Sequence, residues 1–445
     1  MKENTDTTVI ERYRRSDDDQ RTCLFLSHRR QRRDFLAIDM AGFHGRSAAD
    51  AGSRVHPVLI VGAGLNGLAA AYALKKRGIP PVVLDSSDRP AAVWRNRHDQ
   101  LRLNTHRLIS YLPGMRIPKR YGPFPARDDM AAYLEDYERF LNVPVYRNVR
   151  VTRIDRTAAG WRLTAADGVW QARDVIIATG HERMPVIPPW PGRQGFTGEL
   201  LHVAHLGRIE RFRDHRVLVV GAGNSGTDAL NHLVRIKLKN LWVSVRNGPA
   251  ILPTRVLGIP LQLLSPLMAP LPPRVTDVLM AVTERLIFGD LKKYNLPKHP
   301  DGVATRLIRE GVAPAFDDGF TAALKAGCVT VLPQVESFDG DTVRLAGGQT
   351  VRPDAVICAT GYSPGLESMV GHMDVLDKNG KPIFNGPDAH PAFEGLWFMG
   401  MAPRLPGVFY AARDEARRLA ASIRKRQAPR RHKVTLAKRA LLAGR

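Results

Sequence analysis

The sequence predicts an α/β fold built from two Rossmann-like dinucleotide-binding domains, one inserted in the other, and three observations carry that reading. An apolar run leading into spaced glycines and then a helical stretch occurs at VLIVGAGLNGLAAAYAL and again at RVLVVGAGNSGTDALNHL. Two further apolar runs end alike, in DVIIATG and DAVICATG, each downstream of one of the glycine loops. A length of 445 residues leaves room for two or three domains.

In the first unit Val58 to Val61 reads as a buried strand running into Gly62, Ala63, Gly64, Asn66 and Gly67. Gly62 allows the sharp turn, Gly64 lets backbone approach a pyrophosphate, and Gly67 allows helix to pack closely on strand. The helix start supplies free amides and a positive dipole end for phosphate charge. Lys75, Lys76, Arg77 and Gly78 end that helix. A second strand, Val82 to Leu84, stops at Asp85, where an acid accepts hydrogen bonds from a ribose diol and repels a 2′-phosphate. The first nucleotide is therefore expected to be FAD or NAD.

The second unit repeats the design with a strand at Val217 to Val220, glycines at Gly221, Gly223 and Gly226, and Asn224 and Ser225 opening the helix. Its next strand, Leu241 to Val245, stops at Arg246 instead of an acid. A guanidinium there pairs bidentately with a 2′-phosphate, which points to NADPH; the other reading of Arg246 is a plain surface charge. Opposite ribose signatures describe a flavoprotein reduced by NADPH.

The remaining chain fits around these units. A loop-rich run from Trp94 through Asn104 to Leu112 is expected to line the substrate pocket, with the proline-rich segment and the region of Leu405 to Tyr410. ARDDMAAYLEDYERFL is an amphipathic helix whose Met130, Leu134, Tyr137 and Leu141 face the core. Short strands follow at Val149 to Ile154 and Trp161 to Thr164, and the paired apolar strands end at Thr179–Gly180 and Thr360–Gly361. Each of these reads as the last strand of its domain, and GLWFMG with the helix ARDEARRLAASIRKR returns the chain to the first. The expected division is an extension at 1–54, an FAD-binding domain at 55–189 and 362–426, an NADPH-binding domain at 190–361, and a basic tail at 427–445.

Composition narrows the function. Apolar residues at 44% and charged residues at 24% are those of an ordinary globular protein. Cys23, Cys328 and Cys358 form no CxxC, which argues for a reducing cytoplasm and against a dithiol reductase; Cys358 reads as an inert core thiol. The net charge of +23 suggests nucleic acid until it is located: eleven Lys and Arg fall in the last 29 residues, which contain no Asp or Glu. A solvated end is preferred there over contact with nucleic acid or anionic lipid, and no nucleic-acid reader is present. Residues 1–54 show no sustained apolar period, and a start at Met40 would remove nothing structural. The stretch from Val256 to Pro273 carries no charge, but its five prolines oppose a spanning helix. It reads as a buried or substrate-facing loop, with shallow membrane contact through it and VTDVLMAVTERLIF left open. His202 and His205 lack a carboxylate or thiolate at ligand spacing, so no metal site is expected.

Over residues 55–425, in collinear order, the chain resembles the class B flavin-containing monooxygenases, especially their bacterial and YUCCA-like branch. FTGELLHVAHL is similar to that family's FxGxxxH sequence through Phe196, Gly198 and His202. Leu206 replaces its usual later aromatic, and Ala91, Ala92 and Val93 stand where glycines precede Trp94. The resemblance implies a glutathione-reductase-like arrangement of the two domains. It implies that Asn104 lies near the oxygen-reacting edge of the flavin and the bound NADP+; the residues alone equally allow an Asn that satisfies loop backbone. It implies that His202 orients the interdomain linker. It further implies that NADPH reduces FAD and that a flavin hydroperoxide passes one oxygen of O2 to a small molecule: a nitrogen or sulfur, a ketone, or a 2-oxo acid. Two alternatives are an NADPH oxidase that transfers no oxygen and a flavin-binding scaffold tethered by its basic tail.

Overall fold

The structure, a computed structural model, describes residues 54–388 and 390–428. Cys23, Met40, the extension and most of the basic tail lie outside them. The first sheet begins with β1 (Val55–Val61), followed by α1 (Leu65–Lys75), β2 (Pro81–Leu84), α2 (Arg127–Leu141) and β3 (Val145–Tyr146). Parallel strands need a crossover, which α1 supplies between β1 and β2. β4 (Val151–Thr157), β5 (Gly160–Ala165) and β6 (Gly168–Ile177) then form an antiparallel meander, and β6 runs parallel to β1. The order is β3-β2-β1-β6-β5-β4. In α2 the four apolar residues read from the sequence are buried, and Asp129 accepts a hydrogen bond from the Ala126 amide at 3.0 Å, closing the first turn.

The second sheet comprises β7 (Glu199–His202), β8 (Arg216–Val220), β9 (Asn240–Ser244), β10 (Thr330–Leu332) and β11 (Ala355–Cys358), with α3 (Asn224–Leu233) between β8 and β9. Its order is β10-β9-β8-β11-β7, every pair parallel. Between β9 and β10 the chain forms α4 (Pro273–Phe288) and α5 (Val303–Glu310). It then returns to the first sheet: β12 (Leu396–Phe398) pairs with β6, and α6 (Val408–Gln427) shares a core with α1. The second sheet is thus inserted between β6 and β12.

Two details differ from the sequence reading. β6 hands the chain to the second sheet and GLWFMG returns it to the first as β12, as the sequence predicts, but β6 carries two partners along one side, which that reading omits. Gly168 to Ala172 pair with β5, and Val175 to Ile177 with β12. The basic run near the C-terminus is also partly internal. Arg426 and Gln427 close α6 onto the fully buried Asp174, which further accepts a 2.8 Å hydrogen bond from the Trp397 indole. A buried carboxylate requires such partners, so Arg426 neutralises a core charge and is not a solvated one.

Candidate active site

Both glycine loops take the shape their spacing predicts, residue for residue. Gly62 has φ +105° and Gly221 φ +99°, values that side chains resist, and a Cβ there would stand 2.9 Å from the Ala178 carbonyl oxygen or 2.7 Å from that of Ala359. At Gly67 and Gly226 a Cβ would stand 1.9 Å from the carbonyl oxygen of Gly62 or Gly221, so helix and turn are in direct contact. Gly64 and Gly223, which cap α1 and α3, have no atom within 4 Å of that position. Room for a pyrophosphate is therefore present at both helix starts, beside amides with no partner inside the helix. The buried Thr179 hydroxyl, on the turn after β6, also has no hydrogen-bond partner.

The strands after the loops end differently. Asp85 accepts hydrogen bonds from the amides of Ala63, at 2.6 Å, and Ser87, at 2.9 Å, and pairs with Arg147 at 3.3 Å. It also accepts from the Ser87 hydroxyl, so both of its oxygens brace the first loop and the turn after β2. Arg246 is exposed beyond β9 and, among the described residues, has no ion-pair partner. Asn66 packs so closely against Gly400 that a Cβ on Gly400 would lie 2.0 Å from its amide nitrogen. Trp94 is half-buried, its ring 6.1 Å from that of Phe409, and Ala91 before it holds φ +55°.

The run containing Trp94 and Asn104 ties the two halves together. The Asn104 amide donates to the Asn224 side-chain oxygen at 3.2 Å, joining this loop to the helix start of the second cradle. Six residues earlier, His98 Nε2 lies 3.0 Å from Asp228, whose other oxygen is 3.7 Å from His232 Nε2. Burial opposes ionisation of Asp228, but hydrogen bonds from His232 and His98 prevail and hold its carboxyl at about 2. Arg97 donates to the Tyr362 hydroxyl at 2.8 Å. His202 packs edge-on against that tyrosine, 4.8 Å between centroids. Its Nδ1 accepts from the Ala204 amide at 3.1 Å, so Nε2 carries the hydrogen and donates to the Gly361 carbonyl at 3.0 Å. Burial lowers the pKa of this ring and favours the neutral tautomer. Phe196 stacks edge-on against Phe338 at 5.2 Å, and a Cβ on Gly198 would stand 2.6 Å from the Phe196 ring, which accounts for both residues of that motif.

Of the three stretches expected around the substrate, the one at Leu405 to Tyr410 touches both others. Gly407 packs on Thr105, Leu405 joins a cluster with Leu252, Leu261 and Met280, and Arg255 lies over the Phe124 ring at 5.4 Å. Cys358 is buried in β11 with its thiol pushed up to about 12, away from thiolate chemistry. Sequence reading missed the His98–Asp228 and Arg97–Tyr362 contacts, because neither pair has a local signal across such separations. It also missed Glu415, a buried acid on α6 whose pKa burial raises and which accepts from the Gly400 amide at 3.3 Å. An acid among the alanines of ARDEARRLAAS was its only trace.

Comparison with known proteins places this geometry. Residues 59–248 match the family model described as pyridine nucleotide-disulphide oxidoreductase. The chain is 33% identical over 355 residues to the probable indole-3-pyruvate monooxygenase YUCCA9 of Arabidopsis thaliana, covering 78% of this chain and 84% of that protein. It is 33% identical over 377 residues to indole-3-pyruvate monooxygenase YUCCA8 of Oryza sativa, covering 81% and 89%. Among solved structures, the flavin-containing monooxygenase from Stenotrophomonas maltophilia superposes with a TM-score of 0.61 at 27% identity, over 82% of this chain and 98% of that one. The bacillithiol disulfide reductase of Staphylococcus aureus, at 16% identity and a TM-score of 0.61, shares the fold.

Proposed function

The chain belongs to the class B flavin-containing monooxygenases, and from that premise we propose that it decarboxylates an aromatic 2-oxo acid with one oxygen atom of O2. It is a flavin monooxygenase of a family that uses FAD and NADPH. The choice of a 2-oxo acid over an amine, a sulfide or a ketone is supported by relatives named indole-3-pyruvate monooxygenases that match it over most of their length. The reaction balances as 2-oxo acid, O2, NADPH and a proton giving the acid shortened by one carbon, CO2, water and NADP+.

Bound FAD and NADPH would supply the hydride and oxygen chemistry; the chain's own residues hold and align them. Gly62, Gly64 and Gly67 with Asp85 form the FAD cradle, and Gly221, Gly223, Gly226 and Arg246 the NADPH cradle. Thr179, Gly180, Thr360 and Gly361 form the crossing turns between them. The hydrogen bond from Asn104 to Asn224 carries this reading, since it couples the two cradles through the loop expected over the flavin. His202 fixes Gly361. Indole-3-pyruvate or phenylpyruvate, supplied with NADPH in air, should yield the shortened acid and CO2 in proportion to NADPH consumed. NADPH consumption matched by hydrogen peroxide, with no shortened acid from either substrate, would replace the proposal with an oxidase reading.

A further inference from the structure

Helix α4 is apolar on the wrong side. Its inward row is Thr276, Met280, Glu284 and Phe288, with Glu284 turned to Lys298 at 3.5 Å. Its outward row is Val275, Val278, Val282 and Leu286, one face at helical spacing, with Leu286 80% and Val278 63% exposed. The uncharged stretch before it extends the same character, since Leu267 is 73% and Leu257 97% exposed. Single exposed apolar residues are ordinary, but a continuous row on a folded helix marks a surface that meets something.

The charges around it select the partner. Among the acids of this segment, Asp277 caps α5 through the Ala304 amide at 2.6 Å, Glu284 is held by Lys298, and Asp290 pairs with Arg285 at 3.3 Å. Arg274 at one end of α4, and Lys292 and Lys293 just past the other, are exposed with no ion-pair partner among the described residues. An apolar row between unpaired basic ends matches acyl chains beneath anionic headgroups. The same arrangement opposes a second copy of the chain, whose identical basic ends would add like charge to the interface.

We infer that α4 and the stretch before it seat the enzyme in the plane of an anionic lipid bilayer. No helix among the described residues is long and apolar enough to cross one, so the contact is shallow. Leu405, packed beneath α4 with Met280, links this surface to the region expected around the substrate.

Flotation of the full chain with phosphatidylglycerol–phosphatidylcholine vesicles, against phosphatidylcholine alone, tests the inference. The wild type should float with the anionic vesicles, and Val282→Glu combined with Leu286→Glu should weaken this by about tenfold or more while flavin absorbance and NADPH oxidation persist. Lys292→Gln with Lys293→Gln should weaken it less and flatten its salt dependence. Should the glutamate variant lose its flavin, Leu286→Trp serves instead, and its fluorescence should shift to the blue on adding anionic vesicles. Equal flotation of wild type and glutamate variant would place lipid contact elsewhere, in the basic tail, and overturn the inference. So would no flotation, an unshifted tryptophan, or a concentration-dependent dimer that the same substitutions dissociate.

Discussion

The two glycine cradles are nearly the same object, yet the residues that finish them are opposite. Each has one glycine with positive φ at the turn, one with open space at the helix cap, and one jammed against the turn's carbonyl. Beyond them the first strand pair ends in a carboxylate tied to its own loop and to Arg147, the second in an exposed guanidinium with no ion-pair partner among the described residues. Loop shape and nucleotide choice are therefore separable. On the proposed reading, glycines set where phosphate can lie and one side chain past the second strand sets which ribose is accepted.

The largest effect should separate two glycines of one loop. Gly67→Val drives a side chain into backbone 1.9 Å from the Cβ position, and overpacking of that kind costs about 3 kcal/mol or more. It should lower Tm steeply and abolish flavin. Gly64→Val has room in the protein and should keep Tm within a few degrees while the purified protein is colourless. Similar losses of Tm at both positions would erase the distinction between a glycine needed for folding and one needed for phosphate.

Next comes the nucleotide end of the second cradle. Arg246→Ala should weaken NADPH by about 1.5–3 kcal/mol, the range of a hydrogen bond to a charged group, and leave NADH nearly unchanged. Kd values for both coenzymes measure this, and equal weakening would remove the 2′-phosphate role. Asp85→Asn in the first cradle should cost less, about 1–2 kcal/mol, because the amide still accepts from the Ala63 backbone but loses the pair with Arg147. Thermal unfolding of the flavin-bound protein checks it.

What was legible in the sequence follows the range of the forces. The cradles, α2 and the ends of the apolar strands were readable because glycine spacing and helical periodicity are local. The second partner of β6 and the Asp174–Arg426 pair were not, because both depend on chain returning after more than 200 residues. Asn104 was readable only through a family likeness, and its contact with Asn224 lies across 120 residues. Arg426 is the clearest lesson: within a basic run it looks solvated, and only the fold reveals the buried carboxylate it serves.

The smallest effect concerns how the cradles are held together. Asp228 carries a carboxyl at about 2, against an ordinary 3.8, because hydrogen bonds from His232 and His98 outweigh its burial. A group with a lowered folded pKa binds more protons unfolded than folded, so its contribution is fully present above about pH 4 and is lost as pH falls towards 2. The gap in unfolding free energy between wild type and Asp228→Asn should close as pH falls from about 4 towards 2. His98→Phe, which removes the ring from the first-sheet side, should shrink that gap, since one of the two histidines holding the carboxylate is gone. A gap that is flat down to pH 2 would mean that the two histidines do not set the charge of Asp228.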